Sequence, residues 1–168
     1  MNSRRIVLIA ILISIASILG YLESLIPISL VPGVKLGLAN IVILFAIYNF
    51  KWYEALIISL VRIILVSLVL GSFLSYTFFM SLAGGLFSLV VMLILKKIGA
   101  FSIIFISVFG ALTHGIGQVV VAMIVISSKE VIYYLPLIMI LSIPTGVIIG
   151  ALVSKINKNK YIINMMKE

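Results

Sequence analysis

Five residues put charged or strongly hydrogen-bonding side chains inside long apolar runs: Glu23, Asn40, Arg62, His114 and Gln118, with Lys35 at the edge of one such run. A polar group surrounded by lipid is costly and persists where it faces a cavity or a partner. Gly110, His114 and Gln118 are spaced i, i+4, i+8, on one face of a helix. Ala111, Gly115 and Ala122 form a neighbouring stripe of small residues, which leaves room for a close helix or a ligand. The imidazole and amide therefore either line a pocket or satisfy each other among packed helices. Arg62 needs a counter-charge or water, and Glu23 is the acidic residue within comparable reach. A structural Arg62–Glu23 pair and a cation awaiting an anionic ligand both remain open, because a buried guanidinium suits carboxylate or phosphate in either case. Lys35 follows a Pro-Gly turn at the start of a helix, where unpaired N–H groups carry partial positive charge. Such starts face anionic substrate groups in transporters, while a lysine at an interface can also just snorkel. These six residues are the candidate substrate-binding set.

Other chemistries are poorly supplied. There is no cysteine, which removes disulfides, thiol catalysis and iron–sulfur ligation. There is no aspartate, and the four carboxylates are Glu23, Glu54, Glu130 and Glu168. A lone histidine without cysteine or aspartate is a poor metal ligand set. No Gly-x-x-x-x-Gly-Lys-Ser/Thr loop occurs, so any ATP hydrolysis must come from a partner. No catalytic residues, metal or cofactor are expected.

The elements that must position the six residues are membrane helices. Hydrophobic residues make up 64% of the 168 and charged ones 10%, whereas soluble domains run near half apolar and a quarter charged. Lipid must therefore be the solvent for most of the surface. The net charge of +8 sits at the ends of apolar runs, as membrane anchors do, and does not form a nucleic-acid surface. Apolar continuity and breaking residues predict six spans: Ile6–Ile26, Leu36–Phe50 (short for a full crossing), Tyr53–Leu70, Phe73–Leu95, Phe101–Ile126 and Val131–Val153. The first is long for a signal peptide and is read as a retained helix. Pro27 to Lys35 breaks the first from the second. Lys51-Trp52-Tyr53-Glu54 reads as an interfacial turn, and Pro136 and Pro144 as kinks in the last span. The expected fold is all-α, a polytopic six-helix bundle over residues 1–154 followed by a solvated basic tail, 155–168.

With the N-terminus inside, Arg4, Arg5, Lys51, Lys96, Lys97, Lys155, Lys158, Lys160 and Lys167 fall inside, and Lys35 and Lys129 outside. This bias predicts a multi-pass cell-membrane protein with both termini cytoplasmic. Counting ~1.5 Å per residue puts Arg62 and Gln118 each ~12 Å from the outer ends of their helices. The polar set thus predicts a pocket open to the outside. Ser81/Gly85, Gly84/Ser88 and Gly146/Gly150 are small-xxx-small packing seams, and Ala10/Ser14 offers a groove to a neighbouring helix.

Four stretches carry a family resemblance: Leu22-Glu23-Ser24-Leu25-Ile26-Pro27, Pro32 to Asn40, Ser81-Leu82-Ala83-Gly84-Gly85, and His114-Gly115-Ile116-Gly117-Gln118. In these the chain resembles the Gx transporter family, also labelled heptaprenyl diphosphate synthase component I, over nearly its whole length. The usual pattern has Asn after the histidine, where this chain has Gly115. That family is similar to the substrate-binding S components of energy-coupling factor transporters, six-helix proteins that pair with a transmembrane coupling subunit and two ATPases. The resemblance implies capture of a small, scarce solute from outside, with Ala10 and Ser14 at the position of the Ala-x-x-x-Ala seam that docks the coupling subunit; the anionic character of that solute is the reading of Arg62 and Lys35. Two other readings stand beside it. One is a non-catalytic membrane accessory subunit of prenyl diphosphate synthesis, since the aspartate-rich magnesium-diphosphate motifs of such synthases are absent. The other is a structural scaffold in a redox or quinone assembly.

Overall fold

The structure, a computed structural model, describes residues 3–25, 35 and 37–159. Among them there are six α-helices and no strand: α1 (Ser3–Ser24), α2 (Asn40–Asn49), α3 (Trp52–Val69), α4 (Tyr76–Ile98), α5 (Ile103–Ile126) and α6 (Leu135–Lys158). A 3-10 turn, Lys129–Tyr134, leads into α6. All the helices but α2 are long and apolar enough to cross a bilayer. The burial pattern is that of a protein dissolved in lipid. Ile6, Val7, Ile11 and Ile18 of α1 are exposed, while Glu23, Arg62, His114 and Gln118 are buried. The chain is an all-α, multi-pass membrane bundle.

Helix boundaries differ from the sequence reading where a local competitor intervenes. The second helix starts at Asn40, not Leu36, because Gly37 adopts a left-handed backbone (φ 84°) that a helix cannot contain. Trp52 and Glu54 open α3 instead of forming a separate turn, with the Glu54 carboxylate accepting from the Lys51 N–H at 2.8 Å. The loop before α4 runs on to Ser75. Pro136 sits in the first turn of α6 and initiates it, since proline lacks only an N–H that is unpaired there anyway. Pro144 lies inside the helix. The last helix continues through Lys158, so Lys155 is helical. The Pro27–Val34 break and residues 160–168 lie outside the described residues.

Contacts between helix ends fix their relative directions. Arg5 near the start of α1 pairs through two nitrogens with Glu54 at the start of α3, at 2.6 and 2.7 Å. Lys96 near the end of α4 donates to the Ile47 carbonyl near the end of α2. Asn49, ending α2, donates to Asn157 of α6 at 2.8 Å. These ends therefore share one face of the bundle. Arg4, Arg5, Lys51, Lys96, Lys97, Lys155 and Lys158 lie toward it, and Lys35 and Lys129 toward the other.

The close helix pairs are built on glycine. α5 packs most extensively against α4 and α6, and α1 against α3. A methyl group on Gly150 would lie 2.6 Å from the Ile104 Cα, and one on Gly146 2.7 Å from the Val108 Cα. The obstacle is backbone, which cannot rotate away. Gly150→Ala is expected to push α6 off α5 and cost about 1–3 kcal/mol, the range for overpacking a filled core. A lowered unfolding midpoint in detergent is the readout, and an unchanged midpoint would mean that the helices do not approach this closely.

Candidate functional site

The site begins with α2, which is only 10 residues long, or about 15 Å. That is half of a hydrocarbon core of about 30 Å. The helix is enclosed by the bundle: Asn40 and Val42 to Ile47 are all buried, and it touches α1, α3, α4, α5 and α6. Its entry is thus non-helical backbone inside a membrane protein, which is stable only if its polar groups find partners. The first turn supplies some of them: the N–H groups of Asn40, Ile41 and Val42 bond three residues back, at 2.9, 3.1 and 3.2 Å. Side chains supply the others. Glu23 Oε1 accepts from the Gly37 N–H and, at 3.2 Å, from the Leu38 N–H. Gln118 Oε1 accepts from the Lys35 N–H at 3.0 Å.

Gly37 has two reasons to be glycine. Its φ is left-handed, and a Cβ there would fall 2.8 Å from Asn40 Nδ2 and 3.4 Å from the His114 ring.

Gln118 also settles the state of His114. A backbone N–H can only donate, so the Gln118 atom facing Lys35 is the oxygen. The amide nitrogen then faces His114 Nε2 at 2.9 Å. That nitrogen donates, so Nε2 must be bare, and the imidazole is neutral with its proton on Nδ1. Nδ1 makes no well-formed hydrogen bond.

Arg62 is 7% exposed. Its Nη2 reaches Asn40 Oδ1 at a long 3.4 Å, and Asn40 Nδ2 reaches Ser88 Oγ at 3.4 Å. Arg62 Nε has no partner, and among the described residues no ion pair joins Arg62 to Glu23. The Arg62–Glu23 pair considered from sequence is therefore replaced by an Arg62–Asn40 contact. The N–H groups of Gly37 and Leu38, just ahead of α2, are held by Glu23.

The guanidinium borders a cavity lined by Glu23, Lys35, His114, Ser67, Ser72, Thr77 and Ser81, with Gly20, Ile63, Val66 and Phe78 completing the wall. With the adjoining solvent at its mouth included, the space is about 440 Å³. Its enclosed part has room for about one or two waters. The structure thus gathers all six candidate residues. Glu23, Lys35, Arg62 and His114 face the cavity, and Asn40 and Gln118 stand behind them.

The small-residue seams turn out to seat these side chains. Gly20 and Gly85 flank the Arg62 terminal nitrogens, and a Cβ on Gly85 would press the Ile63 side chain beside it at 2.9 Å. A Cβ on Gly84 would meet the His114 ring at 3.1 Å. Sequence reasoning passed over Ser67 and Thr77. For Thr77 a signal existed: Thr77, Ser81, Gly84 and Ser88 recur at i, i+4, i+7 and i+11, one continuous small and polar face of α4. Among the described residues no group of three or more histidines or carboxylates could hold a metal ion.

Residues 12–156 match the model of a family described as heptaprenyl diphosphate synthase component I. The chain belongs to this family. All six polar residues lie within the stretch matched to heptaprenyl diphosphate synthase component I, whereas Ala10 precedes it. No curated protein and no solved structure matches the chain.

Proposed function

We propose that this chain is the solute-binding membrane subunit of an uptake system of the energy-coupling factor type, taking a small anionic molecule from outside into the cavity at Arg62. The observation that carries this reading is a nearly buried guanidinium, bordering a cavity, with one nitrogen unpartnered and no carboxylate paired to it. A charge kept at that depth with only a long contact to Asn40 is expensive unless a ligand uses it. Two further features support it. Of the described cations, seven lie toward one end of the bundle and two toward the other; the positive-inside rule makes the rich end cytoplasmic. The broken entry to α2 also follows the pattern of transporter sites, where irregular backbone is confined to the lining of a central cavity.

A second reading has its own support. The family description names a component of a prenyl diphosphate synthase, and Arg62 with Lys35 offers two cations to a diphosphate. The chain would then serve as an accessory membrane subunit.

Purifying the intact chain from its native membrane with its partners separates the two. Co-purified ATPases and a coupling membrane subunit support transport, and a soluble prenyl synthase supports the alternative. The docking surface is Ala10 and Ser14, both exposed on α1, with the Ser14 hydroxyl turned onto the Ala10 carbonyl at 3.0 Å so that the groove stays smooth. Ala10→Trp is expected to abolish recovery of the coupling subunit while leaving membrane yield unchanged. Wild-type recovery would remove α1 as the seam.

A further inference from the structure

Building on the capture reading, we infer that the cavity is matched to a solute bearing one negative charge, a carboxylate head group held by Arg62, and not to a phosphate ester or diphosphate.

Charge is the first argument. Glu23 enters from α1, Lys35 from the segment before α2, Arg62 from α3 and neutral His114 from α5. α4 and the loop before it contribute Thr77, Ser81 and Ser72, none of them charged. Residues 26–34 and 36 contain no ionisable side chain. Two cations and one carboxylate leave a formal charge of plus one. In a low-dielectric site that excess favours a monoanion, because each additional negative charge on the ligand meets Glu23 uncompensated.

The second argument is the fate of the backbone donors. Phosphate sites use N–H groups at helix starts. Here the N–H groups of Gly37 and Leu38, just ahead of α2, are occupied by Glu23, and that of Lys35 by Gln118. The charged donors that remain at the cavity are the Lys35 ammonium and the Arg62 guanidinium, whose Nη2 is engaged only by a long contact to Asn40. A guanidinium at the cavity wall suits the two oxygens of a carboxylate.

The chain has a single histidine, and it lines the cavity. Nitrogen-15 histidine labelling of the intact chain in lipid nanodiscs therefore yields one pair of imidazole signals. Sodium acetate and sodium pyrophosphate, at matched ionic strength, are the probes. Acetate is expected to move the His114 signals saturably, with a midpoint at least tenfold below that of pyrophosphate. Arg62→Gln is expected to raise the acetate midpoint more than tenfold, and Arg62→Lys to raise it less. Retention of the Nδ1–H signature shows that each variant is folded. A pyrophosphate midpoint equal to or below that of acetate, or an acetate response indifferent to Arg62→Gln, overturns the inference. Mass spectrometry of small molecules released on denaturing the wild-type protein separates the two levels of the argument. Release of a monocarboxylate supports both. A neutral or polyanionic solute overturns the monoanion inference and leaves capture standing. No released solute together with no saturable response overturns both.

Discussion

Arg62→Ala is expected to reduce solute binding by about 10- to 100-fold while leaving membrane insertion intact. A hydrogen bond to a charged group contributes about 1.5–3 kcal/mol, which converts to that range of affinity. The substitution also takes the cavity from a formal plus one to zero, so the long-range attraction for an anion disappears with the contact. Insertion should not suffer, because an arginine in the middle of a span opposes partitioning by about 2.5–3.5 kcal/mol. Membrane yield should therefore be equal or higher. Binding or uptake measured beside membrane yield makes the test. Wild-type affinity in the variant would show that Arg62 is a structural partner of Asn40 alone.

Glu23→Gln should change the ligand preference instead of abolishing it. The amide oxygen of glutamine can still accept from the Gly37 and Leu38 N–H groups, so the entry to α2 keeps its partners. The negative charge is lost, and the cavity becomes formally plus two. Pyrophosphate should then gain at least tenfold relative to acetate. Glu23→Ala differs in kind, because two backbone donors lose their acceptor inside the bundle at about 1–3 kcal/mol each. A lower yield and a lower unfolding midpoint are expected there. If Glu23→Gln left the preference for acetate over pyrophosphate unchanged, the carboxylate would not contribute to the field in the cavity, and the charge argument would fail with it.

These two variants also separate the capture and accessory readings that the family description leaves side by side. A diphosphate-presenting subunit should bind pyrophosphate well in the wild type and gain little from Glu23→Gln. A monoanion site should show the inversion.

Composition and periodicity were enough to establish a lipid-dissolved, all-α chain, the number of its helices, the asymmetry of its basic ends and which polar residues stand inside its apolar spans. Those features are local. A helix crossing lipid must be continuous, apolar and satisfied within itself, so each span declares itself within about 20 residues, and a polar residue inside one is conspicuous without any knowledge of its neighbours. Partnership was not legible. Depth alone left open whether Glu23 pairs with Arg62; in the fold Glu23 holds the backbone ahead of α2 and Arg62 turns to Asn40. Glu54 was read as part of an interfacial turn, yet it is buried against Arg5, 49 positions away. Gln118 holds Lys35 across 83 positions and, through that bond, sets the tautomer of His114. Each of these choices depends on how far one helix is rotated and slid against another. That is decided by close packing at Gly20, Gly84, Gly85, Gly146 and Gly150, where a fraction of an ångström determines which side chain fits, and no spacing within a single helix encodes it.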